Sequence, residues 1–439
     1  MTTSQAAPPV QKREIFGWAM FDFANSSYTT LIVTVAFSVY FTKLVVPGPR
    51  ADFYWGLGIF ASNVLVILLS PVIGAMADDI GRKKLFLAGT YLSCVVGTAA
   101  LFFVIPGRIA LGLALFVVSN VAFSLGENLA GAFLPEISTP ANIGRISGLG
   151  WGLGYFGGLA CLVACWPLLQ GDFVAENIGK LRLIGPVTGG FFLLAALPTF
   201  IFLRERAARG PRRSLPQYVK VSFGRLATTA RSLRHFGALA RFLAVFVCYS
   251  SGLMTVIAFA SIYAERTLGF TAGELAILFM ALQLSSAAGA VGFGQLQDRL
   301  GARHTLQLAL LVWIAVCVGA YFAQTKAVFW GVALFAGLGI GSLQATSRAV
   351  VGLFSPPEKA GEFFGFWGLS NRVAYAIGPL VFGVLSSATG SQRLAILATA
   401  SFFIVGLFGL RFVDEDRGRR EARAWHVERS GRPAVEPAG

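Results

Sequence analysis

The sequence is poor in charge, in cysteine and in histidine. Only 13% of its 439 residues are charged, against about 25% in soluble domains, whereas 55% are apolar. The five cysteines all lie in apolar runs and have neither disulfide nor zinc spacing. We therefore expect no disulfide framework and no metal site. The three histidines fall outside the apolar runs, which excludes an intramembrane histidine relay.

Signals for enzymatic chemistry are also missing. The chain has no G-x-x-x-x-G-K-[ST] phosphate loop, and no nucleophile with an adjacent base. These absences disfavour a nucleotide-driven pump and a membrane enzyme, and we expect no cofactor. The N-terminal "MTTSQAAPPVQKRE" lacks the apolar core of a secretory signal, so the first helix is expected to insert as part of the mature chain.

Long apolar runs dominate what is present. A bilayer core about 30 Å thick requires roughly 20 apolar residues of helix, and runs of this kind predict an all-α integral membrane protein with twelve transmembrane helices. The predicted spans are 15–41, 53–77, 85–105, 109–133, 145–169, 183–203, 242–264, 271–296, 305–323, 327–347, 363–388 and 392–412.

The basic residues predict the orientation of these spans. Most of the 36 Lys and Arg residues lie in the N-terminus, the even-numbered loops and the tail, which places both termini in the cytoplasm by the positive-inside rule. The predicted organisation is a cytoplasmic N-terminus (1–14), an N-terminal six-helix bundle (15–203), a basic cytoplasmic central loop (204–241), a C-terminal six-helix bundle (242–413) and a disordered tail (414–439). The central loop is either a topology anchor that contacts anionic headgroups or a regulatory site. The charge distribution excludes a nucleic-acid partner.

A loop motif occurs in both bundles. "GAMADDIGRKK" and "GQLQDRLGAR" both fit G-x-x-x-D-x-x-G-x-[KR], displaced by 220 residues, and the same offset relates Tyr155 to Tyr375. This register predicts a duplicated six-helix unit. In each copy we expect the first glycine to allow close helix approach, the Asp to bond a helix terminus, the second glycine to turn and the basic residues to anchor at headgroups. The predicted cytoplasmic gate residues are Gly74, Asp78, Gly81, Arg82, Lys83, Gly294, Asp298, Gly301 and Arg303.

With these motifs the sequence resembles the major facilitator superfamily over nearly its whole length. The stretches "WAMFDFANSSY" (18–28), "GAFLPEIS" (131–138) and "IGRISGLGWGLGYFGG" (143–158) are similar to the branch of autophagy-related vacuolar amino-acid effluxers and their bacterial relatives. The resemblance implies two pseudo-symmetric six-helix bundles that rock about a central site lined chiefly by spans 1, 4, 7 and 10. It also implies efflux of small neutral amino acids.

Span 5 carries a glycine pattern with two interpretations. Gly152, Gly154 and Gly157 fit G-x-G-x-x-G, but no strand precedes them, which excludes a dinucleotide site. Close helix packing is the favoured interpretation. The spacing also resembles the fifth-helix motif of exporters, except that Tyr155 stands where those have proline.

Polar residues at membrane depth are the candidate binding groups, because a charge near the bilayer centre costs at least about 2.5 kcal/mol. In span 1, Asp22, Asn25, Ser26 and Thr29 share one helix face by their i, i+3, i+4, i+7 spacing. Span 4 has a similar polar strip, and the second bundle supplies cations. The candidate substrate or coupling-ion residues are Asp22, Asn25, Ser26, Tyr28, Glu127, Asn128, Arg348, Asn371, Arg372 and Tyr375.

Roles for these groups follow from their chemistry. We expect Arg372, with Asn371 and Tyr375, to meet a carboxylate, and Asp22 or Glu127 to meet an ammonium or to carry a coupling proton. Asp22 has an alternative role as the structural partner of an arginine. Asn25 and Ser26 also have an alternative role, in which they form ordinary hydrogen bonds between helices. Arg348 lies close enough to the interface to snorkel as an anchor.

The predicted function is secondary active transport by alternating access, with efflux of amino acids or similar small zwitterions favoured and proton coupling included. The alternatives are a multidrug or lipophile exporter and a non-transporting membrane sensor. The expected partners are a small solute, protons and a bilayer with anionic headgroups. The expected state is a monomer, in the inner membrane if the source is bacterial.

Overall fold

The protein is described from a computed structural model. The description covers residues 10–137, 143–205, 214–221, 224, 236–355 and 360–430. Within these residues, helices are the regular secondary structure and strands are absent. The side chains of Asp78 and Asp298, two of the predicted gate residues, lie outside the description.

Twelve helices among the described residues are long and apolar enough to cross a bilayer, which confirms the predicted fold class. Their ends agree with the predicted spans to within six residues. The spans are Lys12–Val45, Ala51–Ile80, Lys83–Ala100, Ile109–Gly131, Ile143–Leu169, Ile178–Ala195 continued by Leu197–Phe202, Gly237–Leu268, Ala272–Leu300, Ala302–Phe322, Lys326–Leu353, Ala360–Thr389 and Gln392–Gly409.

Span 1 is not one regular α-helix. It is α-helical over Lys12–Tyr28 and then π-helical over Thr29–Val35. A short α-helix, Phe37–Tyr40, and a second π-helical segment, Phe41–Val45, complete it. The first π segment begins directly after the polar stretch that contains Asp22 and Asn25. Single π turns inside helices are frequent at functional sites.

The segments beyond the spans pack against them. In the central connection, residues 215–221 are helical and Tyr218 is buried against Val72 and Ala75 of span 2. After span 12 the chain forms a further helix, Glu415–Ser430, which we call the tail helix. The prediction of a disordered tail is therefore wrong for these residues. The reason is that the helix has tertiary contacts: Gly418 lies against the ring of Phe354, and the Glu421 carboxylate accepts a bond from the N–H of Ala238.

Packing divides the chain into two compact units. Unit 1 comprises Met1–Phe223 together with Ala260–Ile277, and unit 2 comprises Gly224–Phe259 together with Leu278–Gly439. The units differ from the predicted bundles in one segment, because the end of span 7 and the start of span 8 pack with the first six spans. In unit 1, span 1 is the most enclosed element and packs most extensively against span 5.

Candidate functional site

The polar face of span 1 lies against the glycines of span 5. A Cβ placed on Gly150 would come within 2.3 Å of Asp22 Oδ2, and one on Gly154 within 2.8 Å of Ser26 Oγ. A Cβ on Gly157 would overlap the carbonyl oxygen of Phe23. The two helices therefore touch along backbone that only glycine leaves accessible, which confirms the packing interpretation of the span 5 pattern for Gly154 and Gly157. At Gly152, by contrast, a Cβ would meet nothing within 4 Å.

Asn25 is buried on this face without full hydrogen bonding. Its side chain is only 6% exposed, and its Oδ1 has no hydrogen-bond partner among the described residues. Leaving a buried polar atom unpaired costs about 1–3 kcal/mol. Asp22, one turn earlier, is half-buried, and Ser26 donates its hydroxyl to Asp22 O at 2.9 Å. An unpaired buried acceptor beside a carboxylate is suited to a ligand that donates hydrogen bonds.

Tyr28 has a structural environment. It is fully buried, its hydroxyl is 2.8 Å from Ser119 Oγ and its ring stacks on Phe123 with centroids 4.9 Å apart. Unit 2 contains a similar arrangement, in which the hydroxyl of buried Tyr249 in span 7 lies 2.7 Å from Ser347 Oγ in span 10. In each unit a tyrosine thus connects the first and fourth spans of one repeat. These contacts favour a packing role for Tyr28 over the predicted ligand role.

Span 4 is connected to span 2 by two amide–hydroxyl bonds. Asn120 Nδ2 donates to Ser62 Oγ at 2.7 Å, and Asn128 Nδ2 donates to Ser70 Oγ at 2.8 Å, eight residues further along both helices. Asn128, a predicted binding residue, is therefore used between helices, while its neighbour Glu127 is half-buried. Sequence reasoning had no access to this pairing, because the serines carry no signal of their own.

The predicted cationic residues belong to unit 2. Arg348, Asn371, Arg372 and Tyr375 are all half-buried, and Asn371 Oδ1 has no hydrogen-bond partner among the described residues. Asn371 and Arg372 are adjacent on span 11, and Tyr375 follows one turn later. The pairing of these groups with Asp22 or Glu127 stays a prediction.

The turn predicted at the second glycine of the gate motif is confirmed, but the role predicted for the first glycine is wrong. Gly81 has φ of +65° and Gly301 has φ of +80°, a conformation that favours glycine. The expected close approach at Gly74 and Gly294 is wrong, because a Cβ on either would meet nothing within 4 Å. Gly74 instead lines a small cavity of about 70 Å³ together with Asn128.

The basic residue of the motif is also placed differently from the prediction. Lys83 Nζ lies 2.8 Å from Glu136 Oε1, with both side chains less than one-fifth exposed, so Lys83 forms an internal ion pair and is not a headgroup anchor. Arg82 beside it is exposed. Arg303, the counterpart of Lys83, is half-buried, and its Nε has no hydrogen-bond partner among the described residues.

Each unit closes the motif with a carboxylate from the chain that follows its sixth span. Glu205 accepts bonds from the N–H groups of Lys83 and Lys84, both at 3.0 Å. Glu415 accepts bonds from the N–H groups of Ala302 and Arg303 at 3.1 and 3.3 Å. Both carboxylates lie at helix N-termini, where the free N–H groups and the helix dipole favour negative charge. The internal repeat therefore extends to the capping of spans 3 and 9.

A charged cluster at the C-terminal ends of spans 1 and 7 and the start of span 2 was not predicted from the sequence. Arg266 Nη1 lies 2.8 Å from Asp52 Oδ1, and Lys43 Nζ pairs with Glu265 Oε1. Asp52 and Glu265 are 1% and 5% exposed. Arg266 also donates to the carbonyl oxygen of Thr42. We call these four charged residues the outer cluster.

The outer cluster lies within unit 1, because the segment Ala260–Ile277 packs there. The hydroxyl of Ser261 in the same segment donates to the carbonyl oxygen of Thr34, in the π-helical part of span 1. The sequence signal was available in the adjacent Glu265–Arg266 at the end of span 7. It was missed because loop charges were counted only for orientation.

Residues 60–423 match the family model described as "Vacuole effluxer Atg22 like". The chain belongs to this family. Among Atg22-like relatives it is similar to the MFS-type transporter YxiO of Bacillus subtilis (strain 168), with 29% identity, 91% of this chain and 94% of that protein covered. It is also similar to autophagy-related protein 22-1 of Aspergillus fumigatus, with 24% identity over 65% of this chain. The Atg22-like chain spans about half the length of that fungal relative.

Solved structures show the same fold. The bacterial homolog of the human lysosomal transporter Spinster superimposes with a TM-score of 0.71 at 15% identity, covering 95% of this chain and 99% of the other. The D-xylose-proton symporter superimposes with a TM-score of 0.68 at 13% identity, covering 92% and 99%. The predicted resemblance is thereby confirmed, and the Atg22-like chain is a multi-pass membrane protein of the major facilitator type.

Proposed function

We propose that this transporter exports amino acids or similar small zwitterionic solutes by alternating access. The observation that carries the proposal is Asn25, a buried amide oxygen without a partner, one turn from a carboxylate and one turn before a π-helical segment. A substrate ammonium would donate to the unpaired Asn25 Oδ1 and would lie close to the Asp22 carboxylate. The family name supports transport out of a compartment, and the amino-acid class comes from the resemblance to the vacuolar branch.

The carboxylate end of the substrate is assigned to unit 2. Arg372 supplies a permanent positive charge and the geometry for two parallel hydrogen bonds, and Asn371 beside it has an amide with an unpaired oxygen. Glu127 or Asp22 would carry the proton if transport is proton-coupled, because the described spans contain no histidine beyond the first turn of span 9. The proposal also includes the orientation that the basic residues predict, with both termini in the cytoplasm.

The outer cluster is proposed as the gate at the end of the molecule opposite the N-terminus. Asp52 and Glu265 are buried carboxylates, each paired with a cation from another helix. Separating a buried carboxylate from its cation is unfavourable, so the pairs would hold the end of span 7 against spans 1 and 2 until substrate or a proton shifts the balance.

Counterflow in proteoliposomes tests the function. Proteoliposomes that contain the purified protein are preloaded with one unlabelled amino acid. They are then exposed to a panel of labelled amino acids, with and without a pH gradient. Saturable exchange supports the proposal, and Arg372→Ala should then abolish exchange at normal protein abundance. If only hydrophobic cations inhibit the exchange, the result favours a multidrug or lipophile exporter. If no flux is measured, the result favours a non-transporting sensor.

A further inference from the structure

A groove on unit 2 has the composition of a lipid site. It has a volume of about 760 Å³ and lies between the start of span 9 and the end of span 12. Its apolar lining includes Leu308, Leu311 and Phe408, which are 40%, 51% and 52% exposed. Exposed leucine and phenylalanine on the outside of a membrane helix are suited to contact acyl chains, because hydrocarbon requires no polar partner.

Cations gather at one end of this groove. Arg299 ends span 8, Arg411 follows span 12, and His304 lies in the first turn of span 9; all three line the groove and are exposed. The Arg411 guanidinium carbon lies 4.8 Å from the ring centroid of Phe408, a cation–π contact that holds it over the apolar surface. Within the described part of the chain neither arginine forms an ion pair, and no acidic residue lines the groove.

The internal repeat shows that these cations are not required by the fold. Displaced by 220 residues, the position of Arg299 corresponds to Asp79 in the first repeat; with the offset of 210 residues that relates Glu205 to Glu415, the position of Arg411 corresponds to Ile201. The position of His304 corresponds to Lys84, whose Nζ donates to Leu203 O at 2.7 Å. Lys84 thus bonds to the chain after span 6, whereas His304 Nδ1 lies 3.1 Å from Leu300 O at the end of the preceding span. Arg299 and Arg411 stay exposed beside an apolar groove.

We propose that this groove binds an anionic phospholipid, with the phosphate between Arg299 and Arg411 and the acyl chains along spans 9 and 12. His304, which also lines the groove, offers a ring N–H to the phosphate. Basic residues at the predicted cytoplasmic face of a helix pair match the negative lipids enriched at such surfaces. The site is independent of the proposed solute path and does not rest on the identity of the transported substrate.

The test uses the purified full-length protein in detergent, titrated with dioleoyl phosphatidylglycerol or dioleoyl phosphatidylcholine and followed by native mass spectrometry. Wild type should bind the anionic lipid saturably and the zwitterionic lipid at least tenfold more weakly. Arg299→Gln/Arg411→Gln should weaken phosphatidylglycerol binding ~30-fold, since each cation near a membrane surface is worth about 1 kcal/mol. Equal affinity for both lipids in wild type would overturn the proposal.

A matched variant controls for charge. Arg13→Gln/Arg204→Gln removes the same two charges from exposed residues of unit 1 and should change phosphatidylglycerol binding less than twofold. An equal loss in both variants would mean general surface attraction and would contradict a built site.

Photo-crosslinking of wild type with a diazirine-bearing phosphatidylglycerol gives a result that needs no variant to fold. The label should appear in peptides of spans 9 and 12 and should be displaced by excess phosphatidylglycerol but not by inorganic phosphate. Labelling spread evenly over all spans, or displacement by phosphate, would count against the proposal.

Discussion

Asn25 and Asn63 are both buried amides of unit 1, yet they have different surroundings. Asn63 donates its Nδ2 to Ile59 O of its own helix at 2.9 Å, although its Oδ1 lacks a partner as well. Asn25 differs in lying between the Asp22 carboxylate and the π-helical segment of span 1. Substituting these two asparagines in parallel therefore tests whether the location of Asn25 on span 1 matters for transport.

Asn25→Leu is expected to raise the KM for the transported solute at least ~10-fold, because about 1.4 kcal/mol of hydrogen bonding would be lost. The melting temperature should not fall, since replacing an unpaired buried amide by an apolar group of similar size removes a desolvation cost. Counterflow kinetics and scanning fluorimetry measure the two quantities.

Asn63→Leu serves as the matched control for Asn25→Leu and should leave KM within about twofold. An unchanged KM in Asn25→Leu, or equal rises in both variants, would remove Asn25 from the proposed site.

The second prediction at the scale of single residues concerns the glycines of span 5. Gly157→Ala should destabilise the protein by about 1–3 kcal/mol, because its Cβ would overlap Phe23 O and the two backbones would have to separate. Gly152→Ala, which meets nothing within 4 Å, should be neutral or slightly stabilising through its better helix propensity. Thermal unfolding compares the two, and similar melting temperatures would show that span 1 does not rest on Gly157.

Among the elements, the outer cluster connects three helix ends through two buried carboxylates and their cations. Arg266→Gln should destabilise the protein by about 1.5–3 kcal/mol, because Asp52 Oδ1 and the Thr42 carbonyl oxygen would each lose a charge-assisted bond. Asp52→Asn/Arg266→Gln should recover part of the loss, since the buried carboxylate charge is removed together with its cation. Denaturation of the two single variants and the double variant gives the coupling energy.

The exposed pair Arg417–Glu421, at 2.8 Å on the tail helix, controls for ordinary surface pairing. Arg417→Gln should cost no more than about 0.5 kcal/mol. A coupling energy for Asp52 and Arg266 as small as this would argue against a gate.

The tail helix has a cap that responds to acid. Asp414 Oδ1 accepts a bond from the Arg417 N–H at 2.9 Å, and this bond, with the nearby Arg420 and Arg417 charges, lowers the pKa of Asp414 below its usual 3.8. The folded pKa is depressed, so the cap contributes above the unfolded pKa and is lost as pH falls through the folded one. The start of the tail helix should therefore loosen below about pH 4.

A spin label on Ala424→Cys measures this loosening. Its mobility should rise between pH 6 and pH 3 in the otherwise native protein. With Asp414→Ala added, the label should already be more mobile at pH 6 and should change less with pH. Identical pH profiles with and without Asp414 would exclude the cap as the cause.

At the scale of the whole molecule, the sequence halves and the packed units are not the same. The first six spans lack Ala260–Ile277, although that segment packs in unit 1. If the chain is split after residue 210 and both parts are co-expressed, the parts should co-purify, because Asp52 and the Thr42 carbonyl require partners from span 7. Co-purification should decrease with Glu265→Gln/Arg266→Gln, and recovery of equal amounts would show that this segment does not hold the parts together.

Much of the architecture could be predicted, because hydropathy over about 20 residues reports directly on lipid burial. The turns at Gly81 and Gly301 followed from a repeated glycine whose conformation few other residues adopt. The partners of Lys83, Asn128 and Arg266 could not be predicted, since each contact joins helices far apart in sequence. The tail helix was missed because its order comes from tertiary contacts and not from composition.

The π-helical segments of span 1 have a mechanical consequence. A π turn holds more residues than an α turn, so the angular position of side chains beyond Thr29 is shifted relative to the face that carries Asp22 and Asn25. The π segment can act as a joint, because torsion applied before Tyr28 need not be transmitted beyond Ala36. Deleting one residue within 29–35 would restore the α-helical phase between Lys12–Tyr28 and Phe37–Tyr40, and these two parts of span 1 would then have to rotate as one rod.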